Sequence, residues 1–537
     1  MKQAPMFIAL LLVVCAMSVP AQTYLDPTVR IVPTPADVTT IPCQPPAHRS
    51  FVFDFAPLRN GCTGLDLVVA RTTWEVSGDN DDPLTYWFTY SHNNSGQFAN
   101  HGIFWHGSKP CDFPVYVNKL LFGNLRPDVI PSRKDLVAIM SQNAPSIWRT
   151  QVIHNTLNPQ YPLAIMHQLD INAVDGAWGA FTGNDVLEDL ALTDPYNSNG
   201  PRIKIYPNNN DGTLDEVGAY VFEGYSAQKI VLAQINGPID ADLNLNKLDL
   251  IGVDGTTIKI WRNNNFNGLP EVSPYYQSFQ ILFGLGIIHS LAVADINNDG
   301  YNDIIVGANR GAAIYLNSAD QNGWFEQTPE WSYSMPVAEA SRSHLVAVGD
   351  IGAASVFGGA NVNDGWNDVV IASGVRAPGE QPTIRVFVNL KGIGTPPIYI
   401  APSPQQVFSF TPTTNLQAPC DDFDFQQIAL ADVQGAGALA LTATLTRCKD
   451  KDLYMFLHTP QAQPWNGGWN IAAVSVTVPD YSPSAVFPQR DPNSVLYKFQ
   501  GGSYVPVTGN LTSNRGYFVK FPTSQPTWPV TYTGTPI

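Results

Sequence analysis

Positive charge is scarce in this chain of 537 residues: 29 Lys and Arg stand against 45 Asp and Glu, for a formal charge of −16. No run of Lys or Arg occurs. Nucleic acids and anionic membrane surfaces both demand clustered positive charge, so neither is an expected partner. Charged residues of either sign make up only 14% of the chain. No apolar stripe of helical period persists beyond a few turns, which argues against long helices and coiled coils. The six cysteines include no CxxC pair, so a zinc ribbon has no support. Signatures of catalysis are missing too: there is no GxSxG, HExxH, Walker loop or GxGxxG after a strand. No catalytic residue is therefore assigned.

What is present is apolar and rich in turns. Hydrophobic residues reach 44% and aromatics 11%, with 42 Gly and 44 Pro. That mixture suits many short strands joined by turns, and it is apolar enough to build a core. The N-terminus reads as a secretory signal over residues 1–21. Lys2 supplies the positive end, residues 6–17 are apolar but too short to span a bilayer, and Val19-Pro20-Ala21 offers a cleavage site. No later segment is long and apolar enough to cross a membrane, so the mature chain is expected to be secreted or held at the cell surface. Export permits disulfides. Cys420 and Cys448 flank one hairpin-like unit and are the preferred pair, ahead of Cys43 with Cys62. The Pro-rich residues within 22–47 read as an extended entry segment.

Internal self-similarity organises the rest. The clearest unit, LAVADINNDGYNDIIVGANRGAAIYLNSADQNGWF from Leu291, contains an apolar strand, an acidic Asn/Asp/Gly loop, a second apolar strand, and a third strand ending in Asn. The second strand recurs as DLVVA at Asp66, DLVAI at Asp135, DLALT at Asp189, DLIGV at Asp249, DIIVG at Asp303 and DVVIA at Asp368. A seventh copy, ALALT at Ala438, has lost its Asp. The third strand recurs as RIKIYPNNN from Arg202, TIKIWRNNN from Thr257 and TIRVFVNL from Thr383. Units of three or four short strands bury their faces on one another around an axis, so the expected fold is an all-β, seven-bladed β-propeller. Six or eight blades remain compatible with the spacing. The propeller is expected over residues 48–480, followed by a small C-terminal β unit over 481–537.

These residues resemble the FG-GAP/VCBS repeat family, whose best-known fold is the integrin-α-type seven-bladed propeller. The resemblance covers roughly residues 51–469. It implies that the acidic loop joining the first two strands of a blade holds calcium.

The loop DINNDGYND supports that chemistry residue by residue. Hard cations such as calcium take six to eight oxygens. Asp295, Asn297 and Asp299 present side-chain oxygens at alternate positions. Gly300 permits a sharp turn, Tyr301 offers its carbonyl, and Asp303 closes the loop. Closely spaced carboxylates repel unless a cation neutralises them, so calcium is expected here. A second calcium loop is a candidate at Asp350, Asp364 and Asp368, where ten extra residues interrupt the pattern.

A further series lies six residues before the first loop position: His289, His344, Gln228 and Gln426. In a propeller the first strand of each blade lines the central channel, so these residues would face one another at its mouth. Such a ring could bind a metal, a carboxylate or a sugar, or simply ordered water. Two functional readings follow. The first is a calcium-stiffened module that binds an extracellular protein or glycan in adhesion. It places the aromatic and Asn-rich loops from Trp261 to Phe266 and from Trp324 to Phe325 on the contact face. The alternative is a polysaccharide-active, lyase-like enzyme at the channel mouth.

Overall fold

A computed structural model describes residues 30–32, the strands between residues 51 and 528 with most of their short connections, and residues 535–536. The longer connections lie outside the described residues, as do residues 1–29 and 33–50. So the leader and all six cysteines, the preferred pair Cys420 and Cys448 included, fall outside what is described. Among the described residues, no helix is long and apolar enough to cross a membrane.

The chain is all-β over these residues, apart from one turn of helix at Pro483–Val486. Five four-stranded sheets are plain antiparallel meanders of consecutive strands. They fall within residues 51–107, 115–168, 175–223, 229–280 and 288–334. Two further four-stranded sheets borrow an edge. The sixth places Gln406–Ser409 beside Thr383–Phe387, after a two-stranded hairpin of Asn389–Ile393 and Ile398–Ile400. The seventh pairs Phe423–Ala431, Ala440–Arg447 and Asp450–Phe456, and its fourth strand is Arg30–Val32 from the other end of the chain. The first strand of each sheet touches the first strand of the next, and Phe423–Ala431 touches Phe51–Ala56. This is a β-propeller.

Burial explains why each strand reads as it does. The second strand of a sheet has a strand on either side and a neighbouring sheet on either face. Asp303–Ala308, Asp189–Asp194 and Asp368–Ser373 are accordingly buried at every position. Their near-continuous apolar runs reflect that position. Third strands such as Thr257–Trp261 keep a half-buried face and alternate. Fourth strands such as Trp331–Ser334 show mostly solvent-facing residues. The cores therefore lie between sheets, not within one centre. Ile251, Val253, Ile258 and Ile260 of the fourth sheet pack on Ile304, Val306 and Tyr315 of the fifth. Val346, Val369 and Ile371 of the sixth pack on Ile305, Ile314 and Trp331 of the fifth. Close approach is enforced where a side chain would intrude. A Cβ on Gly307 would lie 2.2 Å from the His344 carbonyl oxygen of the next sheet.

The recurring Asp and Asn form one repeated device. Asp249 opens the second strand of its sheet, and its carboxylate accepts from Ile235 N at 3.2 Å and Asn263 N at 2.7 Å. Asn263 closes the third strand. Its amide donates to Leu248 O at 3.2 Å and, across to the preceding sheet, to Phe181 O at 2.7 Å. The same four bonds recur at Asp189 with Asn208, Asp303 with Asn317, and Asp368 with Asn389. Each pair ties a loop, two strands of one sheet and the neighbouring sheet together.

Side chains also bridge adjacent first strands. Gln427 of the last sheet accepts from Phe53 N at 3.0 Å and donates to Phe53 O at 2.8 Å, which joins the two ends of the ring. Between the second and third sheets, Lys119 Nζ lies 2.8 Å from buried Asp175 Oδ1. Burial would push the Asp175 carboxyl up, but the Lys119 and Lys229 ammonium groups and the bond from Ile230 N hold it below the usual range.

The C-terminal sheet, ordered Gly468–Ala473, Gly516–Phe521, Tyr497–Gln500 and Ser503–Pro506, is antiparallel throughout. Its first strand comes from before residue 481, so this sheet reaches back into the stretch expected to end the propeller.

Two outcomes follow from this architecture. Asp249→Ala leaves two buried N–H groups without an acceptor and should cost about 3 kcal/mol, measured as a lowered urea midpoint. An unchanged midpoint would refute the stitching role. Because the Asp175 carboxyl is depressed, its contribution is present above pH about 4 and lost below. The stability difference between the natural chain and Asp175→Asn should accordingly shrink as pH falls through that window.

Candidate functional site

Ile288–Ala294 and Asp303–Ala308 are the first two strands of the fifth sheet, and residues 295–302 connect them. The connection curls because Asn298 and Gly300 take positive φ of 58° and 90°, a region that Asn and Gly tolerate best. Its side-chain oxygens turn inward onto the loop's own backbone. Asp295 accepts from Asp299 N at 3.2 Å and from Gly300 N at 2.8 Å. Asn297 Oδ1 accepts from Asp299 N at 3.2 Å, and Asp299 Oδ1 accepts from Tyr301 N at 2.9 Å. Asp299 Oδ2 accepts from Asn297 Nδ2 at 2.9 Å. Asn302 Nδ2 anchors the loop to Gln234 O of the preceding sheet at 2.7 Å.

Asp303 has a different setting. It is fully buried, and both its oxygens already accept backbone N–H bonds, from Ile296 and Asn317 at 2.8 Å each. Burial pushes its carboxyl up to about 7 against those two bonds, and the charges of Asp299 and Asp295 push the same way. Asp303 is thus a staple of the sheet before it is anything else. The other donors are hard oxygens gathered by a curled loop, the kind of set that suits calcium by type. Among the described residues, no three His, Cys, Asp or Glu side chains are grouped closely enough to hold a metal alone. A cation here would draw also on Asn297 and the Tyr301 carbonyl.

The interrupted loop of the sixth sheet adopts the same bonding. Residues 352–363 lie outside the described residues, yet Asp350 accepts from Asp364 N at 3.1 Å and from Gly365 N at 2.7 Å. Asp364 accepts from Trp366 N at 2.9 Å. Asn367 Nδ2 reaches Asp295 O of the preceding loop at 2.8 Å. Burial, seconded by Asp364 and Asp350, pushes Asp368 up to about 7. One partner is new: Lys391 Nζ stands 3.0 Å from Asp364 Oδ2.

The expected polar ring looks different in the structure. His344 is fully buried and bonds Ser373 Oγ through Nδ1 at 2.8 Å, within its own sheet. His289 is half-buried and its Nε2 meets Asn309 Oδ1. Gln228 is exposed just before its strand begins, with its N–H on Val253 O. Gln426 sits at a β-bulge, as does His289, where an extra residue re-aims a side chain. The aromatic contact face also needs correction. Trp261 is buried at the end of its strand and packs edge-on against Phe222 and Tyr225, while buried Phe325 stacks on Phe279. Both belong to the core because the third strand and its exit face the neighbouring sheet. Residues 264–266 of the first loop and Trp324 lie outside the described residues.

Two site features escaped the sequence reading. One is Lys391, whose signal is a lysine two residues after the Asn that ends a third strand. The other is the closing strand Arg30–Val32, whose three residues carry no pattern of their own.

Comparison with known proteins agrees with the loop's placement. A family model, the FG-GAP repeat, matches residues 288–323, from the first strand through the acidic loop to just past Asn317. Human integrin alpha-IIb is 24% identical over 242 residues, covering 43% of this chain and 22% of the integrin. The mouse protein of the same name matches to the same extent. The match thus spans about a fifth of those relatives. A solved structure titled as BBS1N in complex with ARL6DN aligns at TM-score 0.41 with 12% identity, over 82% of this chain and 97% of that one, too distant to carry an argument.

Proposed function

We propose that this chain, which carries an FG-GAP repeat and an integrin-α-type β-propeller, is an exported, calcium-stiffened binding module for an extracellular protein. In this reading the sixth and seventh sheets complete a disc of seven blades. The observation that carries it is the 295–303 loop, where three side chains curl their oxygens together inside the segment that matches the FG-GAP repeat. Asp295, Asn297, Asp299 and the Tyr301 carbonyl would hold the ion, while Asp303 behind them stays bonded to Ile296 and Asn317. Calcium supplies the positive charge that the acidic loop lacks and stiffens the edge of the disc.

The meander places two sets of connections at opposite ends of the strands. Those between first and second strands, which include the acidic loops, share one end. Those between second and third strands, and between successive sheets, share the other. Tyr196 lies on this second face at 72% exposure and Ile287 at 45%. Exposed apolar side chains suit contact with a protein surface. The acidic balance of the chain favours a partner that is not itself strongly acidic.

Two measurements test the reading. Added calcium should stabilise the mature chain by about 2.7 kcal/mol when present at about 100 times its dissociation constant, seen as a raised thermal midpoint. An Asp295→Ala, Asp299→Ala variant should lose that gain; no gain in the natural chain sinks the metal assignment. For the partner, the immobilised chain is exposed to extracellular-matrix extract treated with protease or with glycosidases. Binding lost to protease, kept after glycosidase, and weakened at least tenfold by Tyr196→Ser with Ile287→Ser supports the proposal. Binding that follows the glycan, or turnover of a polysaccharide, overturns it.

A further inference from the structure

The two acidic loops share a sequence, DGYND at Asp299 and DGWND at Asp364, and share their backbone bonds. They differ in what meets the outer carboxylate oxygen. At Asp299 it is the Asn297 amide. An amide can turn over and present its oxygen instead, so that partner is compatible with a metal. At Asp364 it is the Lys391 ammonium, 3.0 Å from Oδ2 in an ion pair. An ammonium has donors only and carries its own positive charge.

The backbone of Lys391 is fixed beside the loop. Its N–H bonds Asn389 Oδ1 at 2.8 Å, and it takes φ of 59°, unusual for a side chain of its kind. Gly392 follows at 68°, and both lie at the irregularity in the register of the hairpin strand Asn389–Ile393. Asn389 is in turn fixed by Asp368, Ile296 and Asn367. At the same place, two residues after the closing Asn, the third, fourth and fifth sheets carry Asn210, Asn265 and Ala319. A lysine at this point belongs to the sixth sheet.

From this geometry we infer that Lys391 is a tethered cation that stands in for calcium in the sixth sheet's loop. The 350–368 loop then folds without metal, and calcium binds at 295–303 and not here. A calcium ion close enough to bond Asp364 would sit within a few ångströms of the paired ammonium, and like charges at that range repel one another. The inference rests on the calcium reading of the 295–303 loop for its count, but not for its sign.

The test counts calcium bound per chain by equilibrium dialysis on the full mature protein, with thermal unfolding as the check on folding. The natural chain should bind one ion between these two loops, and Lys391→Met should bind two. In an Asp299→Ala background the same change should raise the count from none to one. In chelator, Lys391→Met should melt below the natural chain, and calcium should restore the difference. Lys391→Gly relieves the positive φ and serves if the methionine variant does not fold. Asp364→Asn, with the lysine present, should leave the natural count unchanged. A fall in that count, or two ions in the natural chain, overturns the inference, as does a folded Lys391 variant with no additional ion. A natural chain that binds none while Lys391→Met binds one would instead refute the 295–303 site and leave the lysine's role standing.

Discussion

A buried carboxylate with two backbone N–H donors, beside an amide that reaches the next sheet, is the interaction on which the rest of this propeller depends. Asp189, Asp249, Asp303 and Asp368 each open a second strand, and each is buried. Burying an ion without partners is costly. Here each oxygen has an N–H aimed at it, and the donors come from two different segments of the same sheet. The matching Asn then donates across to the preceding sheet. Sheets that meet largely through apolar contacts acquire a directional bond at a recurring point, which helps set how each blade sits on its neighbour. Asp66 and Asp135 occupy the same opening position in the first two sheets and are buried as well.

That stitch also positions the acidic loops. The turn at residues 295–302 is pinned at Ile296 by Asp303 and at Asn302 by the Gln234 carbonyl, which fixes both ends of the stretch where Asp295, Asn297 and Asp299 gather their oxygens. The sixth sheet shows the consequence. Its loop carries a long insertion, yet the bonds around Asp350 and Asp364 reproduce those around Asp295 and Asp299. Insertions are accommodated because closing a longer loop adds little entropy once both ends are fixed. Charge then separates the two loops: one is left with neutral and acidic groups, and the other meets its own lysine.

Much of this was legible beforehand. The recurrence of a short apolar run after Asp, and of a third strand ending in Asn, marked the sheets and their order. The alternation of residues such as TIKIW marked the half-buried third strands. The acidic loop was legible because ligand spacing is local. What stayed hidden depended on contacts between distant segments. Asp303 was read as the last residue of a metal loop, whereas its two oxygens serve Ile296 and Asn317, fourteen positions beyond it. His344 was read as facing a channel and is bonded to Ser373 inside its sheet. Trp261 was read as part of a contact surface and lies in the core. In each case residue type and spacing were seen, but the burial that assigns the role comes from a neighbouring strand or sheet.

The sequence by itself determined the strand repeat, the all-β class and the acidic loop, because each is written in periodicity or spacing within a few dozen residues. Only the tertiary structure decided how the ring closes and which charges meet. Arg30–Val32 pairs with Asp450–Phe456 from the far end of the chain, Gln427 bonds Phe53 across 374 positions, and Lys391 in the hairpin strand Asn389–Ile393 reaches Asp364. Such contacts leave no local signature, since a side chain's partner is fixed by where the folded backbone carries it and not by what stands beside it in the sequence.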